Sequence, residues 1–125
     1  MDDNAPLLVI VDAANVVGSV PDGWWRDRRG AAERLRDRLA ADGVPGHTGQ
    51  VEVVLVVEGA ARGVESVAGV RVESAPGSGD DHMVGLVERA AGHRPVLVVT
   101  ADRELRRRVT ELGADVTGPR AVRPR

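Results

Sequence analysis

Five carboxylates in this chain stand where apolar runs stop. Asp12 ends "LLVIVD", Glu58 follows "VEVVLVV", Asp102 follows "PVLVVTA", and the tandem Asp80-Asp81 sits in "APGSGDDHM" after a third run. Taken singly, an aspartate after a strand is what a helix start uses as a cap, its oxygen accepting a free backbone N–H. Glu58 suits that role badly, because glutamate is a poor N-cap, and a tandem pair needs only one cap. Taken together, carboxylates gathered at one edge repel one another unless cations neutralise them. Hard divalent ions such as Mg²⁺ or Mn²⁺ accept such oxygens, and need only one or two from the protein when water and phosphate fill the remaining positions. Phosphodiester hydrolysis brings that phosphate. The ion lowers the pKa of attacking water and offsets charge on the phosphate, so no covalent nucleophile is needed.

The elements that must position these groups are short and alternate. Apolar, β-branched runs at 7–11, 51–57, 70–74 and 95–100, with a weaker one at 114–118, read as strands. Runs apolar on both faces belong between helices, as in a parallel sheet. Between them, "GWWRDRRGAAERLRDRLAADG" places Trp25, Ala32, Leu35 and Leu39 on one helical face, with Gly43 as its stop. Residues 80–92 open with two acids and end in glycine. Residues 102–113 carry Leu105, Val109 and Leu112 at helical spacing. Residues 61–69 are expected to form one or two helical turns. This order predicts a three-layer α/β/α sandwich with right-handed crossovers around a parallel sheet. In such sheets ligands bind at the carboxyl ends of the strands, where the strand order reverses. The chemistry-bearing acids fall at that edge.

Composition narrows the functions further. At 125 residues the chain is expected to be one domain spanning 1–118, followed by a basic, flexible tail at 119–125. With no cysteine, disulfides, zinc–thiolate sites and thiol nucleophiles are excluded. All 17 basic residues are arginine, so mechanisms that need a lysine are excluded, and the absence of tyrosine excludes those that need a phenol. The net charge of −2 hides an asymmetry: residues 1–100 hold 10 Arg against 15 acids, and 101–125 hold 7 against 4. The N-terminus has no basic leader and its apolar run is too short to span a membrane, which predicts a cytoplasmic protein with no membrane partner.

The motifs "VDAANVV", an acid after the second strand, "GSGDDHMV" and "VVTADRELRRRV" followed by "LGADV" resemble the NYN domain of the PIN-like nuclease superfamily, and the small bacterial YacP-like branch in particular. The resemblance runs from about residue 7 to 117. It implies a parallel sheet of about five strands in the order 3-2-1-4-5 and cleavage of RNA, single-stranded or unstructured, with one or two Mg²⁺ or Mn²⁺ ions. Carried over by position, it makes Asp12 the central metal ligand and Asn15 a supporting polar group. Asp81 becomes the helix-opening ligand with Asp80 beside it, and Asp102 the fourth-strand ligand with Thr100 turned to the same pocket. Two positions depart from the pattern. Glu58 stands in an "EG" pair where relatives show "DG", and Gly79 stands in "SGDD" where they show "SADD".

Trp24 and Trp25 are the only aromatics; one is expected to anchor the first helix, and Trp24 to stack an unpaired base. Arg106, Arg107 and Arg108, on the helix opened by Asp102, are expected to grip an RNA backbone, with Arg120, Arg123 and Arg125 adding to this. The arginines of the first helix are interleaved with acids and read as a solvated face. His47, His82 and His93 carry no ligand pattern, and Ser66 and Ser78 lack both an elbow context and a paired histidine. "GSGDDH" lacks the third glycine of a dinucleotide fingerprint. Two other readings stay open: a nucleotide phosphohydrolase or pyrophosphohydrolase using the same metal site, and a non-catalytic RNA-binding or interaction module of this fold. The oligomeric state is also open, a homodimer included.

Overall fold

The first strand, β1 (Leu7–Asp12), is the centre of the molecule. Leu8, Val9, Ile10 and Val11 are all buried, because both faces of the sheet are covered. Each such side chain contributes roughly 1.5–3 kcal/mol by leaving water. In this computed structural model, which describes residues 5–47 and 49–122, β1 pairs in parallel with β2 (Val51–Val57) on one side and β4 (Val96–Val99) on the other. β3 (Val70–Ser74) and β5 (Asp115–Thr117) complete the two edges, giving the order 3-2-1-4-5.

Strand alternation sorts the core into two halves. Val9, Val11, Val53, Leu55 and Val57 face α1 (Ala13–Gly18) and α2 (Arg28–Asp42), meeting Val16, Ala32, Leu35 and Leu39. Leu8, Ile10, Val54, Val56 and Val98 face α3 (Gly79–Ala90) and α4 (Arg103–Glu111), meeting Met83, Val87, Leu105 and Val109. The result is the expected three-layer α/β/α sandwich, and none of the described helices is long and apolar enough to cross a membrane.

Three local expectations need correction. The first long helix begins at Arg28, not at the tryptophans, because Asp27 caps it through Gly30 N–H at 2.9 Å. Trp24–Arg26 form a separate 3₁₀ turn, which leaves Trp25 out of phase with the buried face and 54% exposed; Trp24 is the half-buried ring. Residues 61–69 are not helical turns. A 3₁₀ turn at Gly59–Ala61 gives way to a loop whose Gly63 and Gly69 have φ near +90°, and Val67 and Val70 bridge antiparallel. Finally, the chain stays packed past residue 118. Pro119–Ala121 form a 3₁₀ turn and Val122 is 3% exposed in the α1/α2 core. Arg123 and Arg125 lie outside the described residues.

Candidate active site

The strand order reverses between β1 and β4, and the candidate groups collect at their carboxyl ends. Register explains the first contact. Val11 pairs with Val99, so the next residues, Asp12 and Thr100, come level, and Thr100 Oγ1 donates to Asp12 Oδ2 at 2.9 Å. The other oxygen, Oδ1, accepts Asn15 N–H at 3.3 Å and starts the short helix α1. Asp12 is thus a helix cap and a buried carboxylate at once; the two readings of its position are not alternatives. A carboxylate accepts about four hydrogen bonds, so two of its acceptor sites stay open.

The opposite turn is tied in by the same few residues. Asn15 Oδ1 accepts Ala101 N–H at 2.8 Å, and Thr100 Oγ1 accepts Asp102 N–H at 3.1 Å. Asp102 Oδ1 caps α4 through Leu105 N–H at 2.9 Å. Arg106 donates from Nε to the Thr100 carbonyl at 2.7 Å, bracing the turn from below. Asn15 and Thr100 therefore fix the spacing of the β1 and β4 turns on which Asp12 and Asp102 ride.

The electrostatics of the edge are unfavourable as it stands. Burial pushes the Asp12 carboxyl up to about 6; the Thr100 and Asn15 hydrogen bonds oppose this, and the charges of Asp80 and Glu58 add to it. Asp80 is also raised, by burial first, then by Asp102 and Glu58, with Arg108 opposing and Asp81 adding a little. Among the described residues, none of Asp12, Glu58, Asp80 and Asp102 forms an ion pair. Nor do any three acidic or histidine side chains already stand close enough to form a closed metal-binding cluster. All the donors are carboxylate or hydroxyl oxygens, which suits Mg²⁺ or Mn²⁺ better than softer metals.

The tandem acids divide in the opposite way to expectation. Asp80 faces the other carboxylates, whereas Asp81 is exposed and pairs with Arg108 at 3.0 Å. Ser78, not either aspartate, caps α3 by accepting Asp80 N–H at 3.2 Å. One helical step of about 100° separates the two side chains, and sequence alone does not say which points inward.

The basic triplet is dispersed for the same reason. Arg106 braces Thr100, Arg107 is bound by Glu104 and Glu111 along its own helix, and only Arg108 leans toward the acids. The three do not form one cationic face. Arg120 is exposed beyond β5. His82 is held by Glu73 on the outer strand β3 at 2.7 Å, and His47 and His93 are exposed in turns.

Gly79 is a site residue that sequence reasoning passed over. Its N–H donates to Glu58 Oε2, and a methyl group placed on its Cα would sit 2.6 Å from that oxygen. The two departures from the NYN pattern are therefore one structural change. A glutamate after β2 reaches farther than an aspartate, and the missing Cβ at the start of α3 gives its carboxylate room. On the α2 side, Glu58 also walls a cavity of about 360 Å³ shared with Trp24, Arg28 and Arg62.

No family model matches the sequence, and no curated protein matches it. Among solved structures it is similar to the crystal structure of a mutant form of Rae1 (YacP) from Bacillus subtilis. The TM-score is 0.72 and the identity 17%, over 92% of this chain and 71% of that one. The chain therefore has a YacP-like α/β fold.

Proposed function

We propose that this protein is a divalent-metal-dependent ribonuclease that hydrolyses phosphodiester bonds of single-stranded RNA at the carboxyl edge of its sheet. One observation carries the reading. Asp12 is held by hydrogen bonds, yet its charge is made costly first by burial and then by Asp80 and Glu58, with no cation paired to it among the described residues. A folded protein keeps such a group where a ligand neutralises it. The YacP-like fold supports a nuclease-like reading, and the motif resemblance supplies RNA as substrate.

In this reading Asp12, Asp80 and Asp102 hold the ion and Glu58 assists, with Asp81 left to its pairing with Arg108. When bound, a Mg²⁺ or Mn²⁺ ion stabilises charge on the phosphodiester and makes water acidic enough to attack it. The chain's own part is positioning. Thr100 and Asn15 lock the Asp12 and Asp102 turns at fixed separation, and Gly79 N–H fixes one oxygen of Glu58. Few protein oxygens are required, because water and phosphate complete the coordination of such ions.

The test is a thermal melt of wild type and Asp12→Asn with Mn²⁺ or Mg²⁺, followed by cleavage of an end-labelled single-stranded RNA. The wild type is expected to gain stability, about 2.7 kcal/mol at a hundredfold excess over Kd, and to cut RNA only with metal. Asp12→Asn is expected to do neither. Absence of any shift or cleavage, repeated with oligonucleotide present, would overturn the reading in favour of a non-catalytic module.

A further inference from the structure

The cavity beside Glu58 opens between α1, α2 and the turn after β2, on the side of the acidic edge away from α4. Its floor is apolar, with Val57 and Ala61, and Ala14 stands at its side. One wall is aromatic and cationic together: the Arg28 guanidinium lies over the Trp24 ring at 5.4 Å. Arg62 stands at the rim, held by the Pro76 carbonyl at 3.0 Å. Its volume of about 360 Å³ is at the low end of small-ligand pockets, room for a single flat ring system and its sugar.

We infer that this cavity is a nucleobase subsite, which takes one unpaired base of the RNA next to the phosphate at the acidic edge. The proposal rests on the ribonuclease reading and deepens it. Three features fit that occupant. Trp24 with Arg28 offers an aromatic ring and a guanidinium group of the kind on which splayed-out bases settle. The two guanidinium groups supply positive charge where the neighbouring phosphate must pass, a few residues from carboxylates that would otherwise repel it. Glu58 belongs to both places, so a base in the cavity lies next to a phosphate held at the acidic edge. A base-paired strand cannot enter, which makes the cavity a filter for unpaired RNA.

Trp24 and Trp25 are the protein's only aromatic residues, so its ultraviolet emission comes from this corner alone. In a Trp25→Leu variant, a change at an exposed position, it comes from Trp24 alone. That variant, with Asp12→Asn added so that the strand is not cut, is titrated with a dye-labelled RNA heptamer in Mg²⁺, reading emission and dye anisotropy together. The titration is repeated with an abasic nucleotide walked through each position, and again with Ala14→Leu added. Ala14 is exposed, so the added side chain fills the cavity without entering the core.

The expected result is quenching of Trp24 on binding. An abasic nucleotide at one register is expected to cost roughly five- to a hundredfold in affinity and to lose the quench. Ala14→Leu should weaken binding similarly and remove the register dependence. If the heptamer binds with no quench and no register effect, the subsite is overturned and the ribonuclease reading stands. If neither protein binds or cleaves RNA under any metal condition, both fall together.

Discussion

The acids of this protein occur in two settings whose electrostatics run in opposite directions. On β2 and β3, to the side of the β1/β4 switch point, Glu52 is paired with Arg71 at 2.8 Å and Arg94 at 2.7 Å, and Glu73 with Arg71 at 2.9 Å and His82 at 2.7 Å. Every carboxylate there has a cation, and Glu52 is held below its usual range, first by the Arg94 hydrogen bond. At the β1/β4 switch point Asp12 and Asp80 are displaced upward, and among the described residues no guanidinium pairs with Asp12, Glu58, Asp80 or Asp102. The chain has arginines in abundance and spends them elsewhere. What distinguishes the edge is therefore not the number of acids but their burial without partners, and that cost is what a cation would relieve.

The largest expected effect comes from removing the charge at the edge. A displacement of the Asp12 carboxyl from its ordinary 3.8 to about 6 corresponds to about 3 kcal/mol of stability lost at neutral pH. The sign follows from proton binding. Between these two values the folded state holds the proton more tightly than the unfolded chain, so stability falls as pH rises from 4 to 6 and stays low above. Asp12→Asn, which keeps an oxygen for Thr100 or Asn15 N–H, is expected to melt several degrees higher than wild type at pH 7.5 without metal. The gap should close toward pH 4. A variant that melts lower at pH 7.5 would mean that capping α1 outweighs the buried charge.

The next effect tests the anchoring of Glu58. Gly79→Ala places a methyl 2.6 Å from Glu58 Oε2 at a point where backbone also donates to that oxygen. It is expected to cost about 1–3 kcal/mol. Glu58→Asp shortens the side chain and vacates the space, so the double variant Glu58→Asp/Gly79→Ala should recover most of that loss. A coupling of at least 1 kcal/mol in the double-mutant cycle is the expected outcome. Simple additivity would show that α3 shifts to admit the methyl, and that Glu58 is not fixed by Gly79.

The strands were legible because they follow from patterns that neighbours cannot override, whereas the order 3-2-1-4-5 came from the family resemblance. Runs such as 53–57 have no polar face to expose, so they must lie inside a covered sheet. Asp12, Glu58 and Asp102 were readable as acids that follow such runs, and the tandem Asp80-Asp81 as the opening of a helix. What escaped was the direction of side chains on helices. Asp80 against Asp81, and Arg106 against Arg107 and Arg108, differ only by rotation about the α3 and α4 axes, which packing sets. The short helix after Asp12 and the capping role of Asp27 were hidden by length. Six residues give too little periodicity to detect, and Asp27 lies among arginines that read as a charged face. The fit of Gly79 to Glu58 joins residues 21 apart and is visible only in three dimensions.

A smaller effect, of opposite sign to that at Asp12, is expected in the paired region. Glu52 is lowered in the folded state, so its charge stabilises the fold above the unfolded value near 4.5, and this support is lost as pH falls through the folded value. Glu52→Gln should therefore melt lower than wild type at pH 7.5, with no difference at acid pH. The side chain is partly exposed and screened, so about 1 kcal/mol or less is expected, declining with salt. Melts of Glu52→Gln and Asp12→Asn across pH 4–8 should then cross in opposite senses. Parallel curves would mean that the two carboxyls are displaced in the same direction, and the contrast between the regions would fall.

The smallest effect concerns Arg107. It lies in the run "RRR", where sequence suggests a phosphate grip, yet Glu104 and Glu111 hold it on the exposed face of α4. A cation already neutralised by two carboxylates has little net charge to offer a phosphate, and releasing it would leave both acids facing the RNA. Arg107→Ala is therefore expected to leave the slope of log affinity against log salt unchanged for a single-stranded oligonucleotide. Loss of a true phosphate contact would lower that slope by about 0.7. Arg28→Ala should give that loss, because its guanidinium sits on an aromatic ring with no carboxylate pairing it among the described residues. If Arg107 changes the slope and Arg28 does not, the RNA runs along α4 and not across the cavity beside Glu58. The distinction between paired and unpaired charge would then fail for cations where it holds for acids.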